Sequence, residues 1–265
     1  MTCVRYSGCE SLKIARFEFR GHVAYGIVDP GRGEIRELDG SPFGDIRVSG
    51  SERFLADVCL LAPVVPSKIV AVGLIYKDHA REMGKAIPEE PLLFLKAPSA
   101  LNHPGGDVVY PRASRRVDYE AELAVVIGKK AKDVSEREAR SVILGYTCIN
   151  DVTARDLQAK DVQYARAKGF DTFAPLGPWV ETDLDPSALT IRCLVNGEVK
   201  QDSNTREMDR SVPALVEYIS HVMTLYPGDV IATGTPPGVG PVKVGDVMTV
   251  EIEGIGSLTN RVVAP

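Results

Sequence analysis

The amino-acid sequence predicts an α+β fold: a mixed β-roll body over residues 67–265, preceded by a small β-rich N-terminal module over residues 1–66. Three observations predict it. Strand-like segments outnumber helical ones and do not alternate with them in the βαβ rhythm of a parallel sheet. The C-terminal stretch "GDVIATGTPPGVGPVKVGDVMTVEIEGIGSLTNRVV" is a series of short apolar or alternating runs cut by glycines, the pattern of strands joined by tight turns. The two prolines of "LLAPVVPSKIVAVG", followed by a continuous apolar run, place a boundary near residue 66.

Taken in order, residues 1–11 read as a loose tail. "LKIARFEF" and "HVAYGIV" are two strands, with "RGH" as the tight connection between them. "DPGRGEIRELDGSPFGD" is rich in turn residues and returns to short extended pieces. "YEAELAVVIG" is a strand whose second half is apolar on both faces and therefore buried. "SEREARSVIL" is a helix capped by Ser135. "GYTCIND" is a short strand ending in Asp151. "TARDLQAKDVQYARAK" predicts one helix, with Thr153 and Asp156 spaced as a capping box. "LTIRCLVNGEVKQDSN" is a hairpin turning at Asn196–Gly197, a dipeptide that tolerates the positive φ of a two-residue turn. "VPALVEYISHVM" is a helix with an apolar stripe.

The composition excludes several classes. With 44% hydrophobic and 25% charged residues and a mean hydropathy of −0.04, the chain reads as an ordinary globular protein. Its 36 acidic residues against 31 basic ones give a net charge of −5, and no basic stripe suggests a nucleic-acid partner. The five cysteines, Cys3, Cys9, Cys59, Cys148 and Cys193, form no CxxC pair and no zinc-ligand spacing. They read as reduced thiols. No signal-like apolar region or membrane-length apolar run is present, so the expected location is cytoplasmic, away from membranes.

Asp118, Glu120 and Glu122 fall on one face of the "RVDYEAELAVVIG" strand. A solvated acidic edge would produce that spacing, and so would a metal site. The strand runs on into a buried stretch, where like charges repel unless a cation lies between them. An all-oxygen set suits a hard ion such as Mg2+ better than zinc. Asp151 is either a turn residue or a further ligand. His79 and Glu82, at i,i+3 in "DHARE", share one helical face. They are either a surface pair or an imidazole oriented by a carboxylate for acid–base work. In "VIATGTPPGVG", Thr233, Gly234 and Thr235 offer donors for a carboxylate or phosphate, unless the segment is a plain turn. Walker and Rossmann glycine patterns, GxSxG and HExxH are all absent, which argues against nucleotide, serine-hydrolase and zinc-protease chemistry.

The ordered series "VG-x-x-Y-x-x-HA-x-E", "FLK", "DYEAELAVVIG", "DVTARDLQ", "AKGFDTFAPLGPW", "VNGE" and "GDVIATGTPPGVGPV" resembles the fumarylacetoacetate hydrolase superfamily, over roughly residues 68 to 263. The resemblance implies a mixed β-roll, usually a homodimer. It implies Mg2+, or Mn2+, held by Glu120, Glu122 and Asp151, with His79 and Glu82 as the catalytic dyad on a short helix that orders over substrate. Lys96, Gln158 and Lys168 match polar residues of the pocket, with Lys168 and Lys96 placed to stabilise developing negative charge, and Thr235 matches the loop that receives a substrate carboxylate. The activity so implied is metal-dependent hydrolysis of the C–C bond of an acylpyruvate-type, fumarylpyruvate-like β-diketo acid, a small 2-oxo acid, through a metal-stabilised enolate. The alternative is an isomerase or decarboxylase of 2-hydroxyhepta-2,4-diene-1,7-dioate or oxaloacetate-type 2-oxo acids. A non-catalytic binding protein would have lost a ligand or the dyad, and none of these positions is lost. One departure is Gly73-Leu74-Ile75-Tyr76, where many members read G-x-N-Y. Ile75 removes a polar group near the mouth of the site.

Overall fold

The computed structural model describes residues 11–265; the expected tail up to residue 10, with Cys3 and Cys9, lies outside the described residues. The N-terminal segment is built from β1 (Lys13–Phe19), β2 (His22–Asp29), β3 (Glu34–Leu38), β4 (Val48–Phe54) and β5 (Cys59–Leu61). Arg20 and Gly21 join β1 to β2 with φ of 52° and 82°, the primed turn whose twist matches the flanking strands. Alternation then points Ala15 and Phe17 into one buried cluster with Val28 and Ile35.

The body opens with β6 (Ile69–Gly73), α1 (Lys77–Glu82), β7 (Leu92–Lys96), β8 (Leu101–Asn102), β9 (Val108–Val109), β10 (Val117–Tyr119) and β11 (Ala121–Ile127). Then follow α2 (Glu136–Val142), β12 (Ile143–Asn150), β13 (Thr153–Ala154), α3 (Arg155–Lys160), α4 (Ala165–Lys168) and β14 (Ala174–Glu181). The chain closes with β15 (Thr190–Val195), β16 (Glu198–Asn204), α5 (Val212–Val222), β17 (Val230–Ala232), β18 (Gly240–Val242), β19 (Val247–Ile252) and β20 (Gly256–Val263).

The main sheet runs β4-β3-β2-β1-β14-β12-β11-β17-β6-β7, with β5 on β1 and β8 on β14. A second sheet, β16-β15-β19-β20-β9, lays β15, β19 and β20 against β11, β12 and β14. This is the expected mixed roll. β11 is buried along its whole length, as a strand covered on both faces must be. The N-terminal strands are an outer wing of the same sheet: Lys13 and Ile14 of β1 pair with Glu181 and Val180 of β14, while Arg16 to Glu18 pair with β5.

Ser135 and Glu138 form a reciprocal capping box on α2, and Asn196 and Gly197 turn the β15–β16 hairpin with φ of 53° and 81°. Three expectations need correction. The helix expected over "TARDLQAKDVQYARAK" is two helices, because the chain turns extended at Asp161 (ψ 142°). Thr153 caps nothing. Its backbone pairs with Asp118 in the β10–β13 ladder and its hydroxyl donates to the Asp151 carbonyl at 2.8 Å. Asp156 instead accepts from the Ser114 hydroxyl and the Arg115 N–H, at 2.6 and 3.0 Å. Finally, the strand expected to run unbroken through residues 118–127 breaks at Glu120: β10 belongs to a small β13-β10-β18 sheet and β11 to the main one. Among the described residues no helix is long and apolar enough to cross a membrane.

Candidate metal centre and acid–base site

The break at Glu120 builds the site. Asn150 Oδ1 accepts the Glu120 N–H at 3.0 Å, and the Asp151 N–H donates to the Glu120 carbonyl at 2.9 Å. The ends of two adjacent strands are thereby tied, with Glu120, Glu122 and Asp151 converging. All three are buried, and they can each present an oxygen within 4.8 Å of the others. They floor a cleft of about 570 Å³, whose walls include His79, Glu82, Gln158, Lys168 and Thr235.

Three carboxylates cannot share a buried floor without cations. Lys168 donates to Glu120 at 2.8 Å and to Asp151 at 2.6 Å. Lys96 reaches Asp151 at 2.5 Å and the Val152 carbonyl at 3.2 Å. Arg155 pairs with Glu120. Burial would raise the Glu120 pKa, but Lys168 and Arg155 outweigh it and bring the group down to about 2. Lys168 is pushed up despite its burial, since Asp151, Glu120 and Glu122 surround it. Lys96 is pushed down, chiefly by complete burial. Glu122 differs from its neighbours. No side-chain cation bonds it among the described residues, and its one hydrogen bond comes from the Gly234 N–H at 2.8 Å. Burial, then Asp151 and Glu120, hold its carboxyl well above the usual range. Three hard oxygen donors, one of them a buried carboxylate with no side-chain cation bonded to it, form a set that could hold a divalent metal ion.

The candidate acid–base pair, His79 and Glu82, comes from α1. His79 Nδ1 lies 2.9 Å from Glu82 Oε2, so with Nδ1 protonated the other ring nitrogen is left to take a proton. The carboxylate is itself held, accepting the Gly238 N–H at 3.1 Å, while the Gly238 carbonyl accepts from Tyr119 at 2.9 Å. At the other face of α1, Asp78 accepts from Ser203 at 2.5 Å. The helix is therefore moored at one end to β16 and at the other to the loop before β18.

The positions expected to contact substrate divide. Gln158 and Thr235 line the cleft, but Lys96 does not: it lies beneath the floor. Thr235 is already committed, donating to the Ala121 carbonyl at 2.9 Å and accepting from Gln201 at 2.8 Å. Gln158 accepts from Arg155 at 2.6 Å. Arg155 itself escaped the sequence reading. Asp118, read there as one of three carboxylates on a common strand face, is wholly buried and receives both Arg155 (2.9 Å) and Arg116 (2.9 and 3.1 Å). Both stand inside the quoted motifs. The signal was a buried acid with arginines on either side, "RVD" and "TARD". Ile75 is buried, packed under Gly234, where an added Cβ would come within 2.6 Å of its Cγ2.

A β-roll with a buried carboxylate trio that could hold a metal and a facing histidine–glutamate pair is the architecture of a family of enzymes acting on small organic acids. Residues 68–263 match the fumarylacetoacetate (FAA) hydrolase C-terminal family model, and residues 12–63 match the Rv2993c-like N-terminal one. The chain belongs to the fumarylacetoacetate hydrolase family. It is 42% identical to the 2,4-didehydro-3-deoxy-L-rhamnonate hydrolase of Sphingomonas sp., over 95% of this chain and 96% of that protein. The structure of 2-hydroxyhepta-2,4-diene-1,7-dioate isomerase from Mycobacterium marinum superposes with a TM-score of 0.90 at 46% identity, covering 96% of this chain and 98% of that one. Maleylpyruvate hydrolase from Sphingobium sp. SYK-6, solved with manganese(II) and pyruvate, gives 0.78 at 32% identity over 95% and 99%. Family members thus include both hydrolases and isomerases.

Proposed function

We propose that this protein is a divalent-metal-dependent hydrolase that cleaves the C–C bond of an acylpyruvate-type β-diketo acid, and that it works as a homodimer. The observation that carries the reading is Glu122, a buried carboxylate with no cationic partner, in the floor of a cleft that the His79–Glu82 pair overlooks. Held by Glu120, Glu122 and Asp151, Mg2+ or Mn2+ would supply a Lewis acid to the keto and carboxylate oxygens of a 2-oxo acid. The chain's own groups do the remaining work. His79 takes a proton from the water that attacks the distal carbonyl, while Glu82 holds the ring and balances its charge. Lys168, fixed between Glu120 and Asp151, keeps positive charge beside the oxygens that become negative. His79 then returns its proton to the carbon released as the methyl group of pyruvate. The facing loop, with Thr235 and the Gly234 N–H, fixes Glu122 and closes the wall.

Likeness to the M. marinum isomerase supports a second reading, in which a proton moves without hydrolysis. One screen separates them. Incubation with Mg2+ or Mn2+ and a set of acylpyruvates in 18O-labelled water is expected to yield pyruvate and a carboxylic acid carrying the label. A product of unchanged mass would indicate isomerisation, loss of CO2 would indicate decarboxylation, and either would overturn the hydrolase. For the assembly, light scattering is expected near twice the 28.7 kDa chain mass, and a clean monomer at micromolar concentration would contradict the dimer.

A further inference from the structure

We propose that the acyl group of the substrate is an uncharged hydrocarbon chain or ring and not a second carboxylate-bearing arm. The proposal rests on the 2-oxo acid reading of the site. β7 carries the argument, because its alternate residues march out of the charged floor along one face. Lys96 stands at the inner end, bonded to Asp151. Two residues outward, about 6.6 Å along a strand, the Phe94 ring lies with its centroid 5.0 Å from Lys168 Nζ. Tyr164 packs edge-on against that ring, with centroids 5.5 Å apart. Two residues further, Leu92 pairs with Gly73 and leans across it, so that a Cβ at Gly73 would meet Leu92 Cδ2 at 3.2 Å. Leu92 is 45% exposed and Met83 46% exposed, and both line the cleft together with Pro88.

The wall therefore changes character over a short distance, from lysine and carboxylates to aromatic, leucine, methionine and proline. A 2-oxo acid with its oxygens at the floor has to run its tail past Phe94 and Leu92. The cationic groups deep in the cleft are already paired. Arg155 is bonded to Asp118, Glu120 and Gln158, and Lys168 to Glu120 and Asp151. Arg116 gives two bonds to Asp118 and, with its side chain half exposed, belongs with exposed Lys85 to the solvent-facing edge of the cleft. A charged tail would lose water against the apolar wall with no committed partner. An apolar tail would cover Leu92, Phe94 and Met83, which otherwise face water.

The test measures binding, so it does not depend on which bond is broken. With saturating Mg2+, calorimetry compares straight-chain 2-oxo monocarboxylates from pyruvate to 2-oxooctanoate with 2-oxoglutarate and 2-oxoadipate. Each added methylene is expected to tighten Kd by up to roughly fourfold, and each dicarboxylate to bind at least tenfold more weakly than the monocarboxylate of equal chain length. Leu92→Lys, at a half-exposed position on an edge strand, is expected to flatten the chain-length series and narrow the gap to the dicarboxylates. Its melting curve, taken alongside, shows that it is folded; Leu92→Ser serves as a second variant and is expected to flatten the series alone. Dicarboxylates binding as tightly as their monocarboxylate counterparts would overturn the proposal. So would a flat series in the unaltered protein, or no binding of any member. A dicarboxylate preference abolished by Lys85→Ala would place the distal charge at the rim instead. If the series tightens as expected but no acylpyruvate is cleaved, the apolar subsite stands and the hydrolase reading falls.

Discussion

Glu122→Ala is expected to abolish metal-dependent turnover and, with it, the stabilisation that Mg2+ confers. A ligand that binds only the folded chain stabilises by mass action, about 2.7 kcal/mol at a hundred times its Kd. For a chain of this size that corresponds to a rise of roughly 5–10 °C in melting temperature. Glu122 is the carboxylate to remove because Glu120 and Asp151 already have lysine and arginine partners, whereas Glu122 has only a backbone N–H. With its carboxyl held well above the usual range by burial and by Asp151 and Glu120, Glu122 gives the metal-free fold no ion pair to lose. The metal-free variant is therefore expected to be less stable than the metal-free parent by no more than about 1–3 kcal/mol, the cost of the emptied volume and the orphaned Gly234 donor. Differential scanning fluorimetry with and without Mg2+ measures both effects, and an undiminished metal-induced shift in the variant would take Glu122 out of the ligand set.

His79→Ala separates chemistry from metal binding. The imidazole is on α1 and the three carboxylates are on β11 and the strand ends beside it, so removing the ring leaves the floor intact. The expected result is a fall in kcat of about 10²–10⁴, with Mg2+ affinity changed by no more than about twofold. Glu82→Gln is expected to reduce kcat by less, because the amide oxygen can still accept from Nδ1 while the charge that stabilises the protonated ring is gone. Steady-state kinetics on the substrate found by the screen checks both variants. Near wild-type turnover in His79→Ala would reduce the pair to an ornament of the helix surface.

How much of this was legible in the sequence depended on how local each signal was. The Ser135–Glu138 box and the Asn196–Gly197 hairpin are encoded within a few residues, and the structure has both. The acidic run at residues 118–122 showed that carboxylates enter a buried strand, but period-two spacing could not show the break at Glu120. That break sends Asp118 to the arginines and leaves Glu120 and Glu122 in the floor. It is set by Asn150 and Asp151, some thirty residues away. Thr153 illustrates the same limit: its spacing to Asp156 satisfies a capping rule, yet ladder pairing with Asp118 claims its backbone first. Lys96 and Thr235 were expected together as pocket residues, yet only Thr235 lines the cleft. What no motif shows is that one lies under the floor and the other spends its hydroxyl on Ala121 and Gln201.

The pairing of β1 with β14 also dictates the order in which the chain can fold. Lys13 and Glu181 are 168 residues apart, and closing a loop of that length costs about 4–5 kcal/mol of chain entropy before any contact repays it. The β1–β2 hairpin is local and can form within microseconds of its synthesis. Part of its open edge then has to wait until β14 has been made and placed beside β12. During that interval the edge is a free template for another chain. The wing next to the catalytic roll is thus the first segment able to fold and among the last to be secured, so the risk of misassembly during synthesis concentrates at its N-terminal strands.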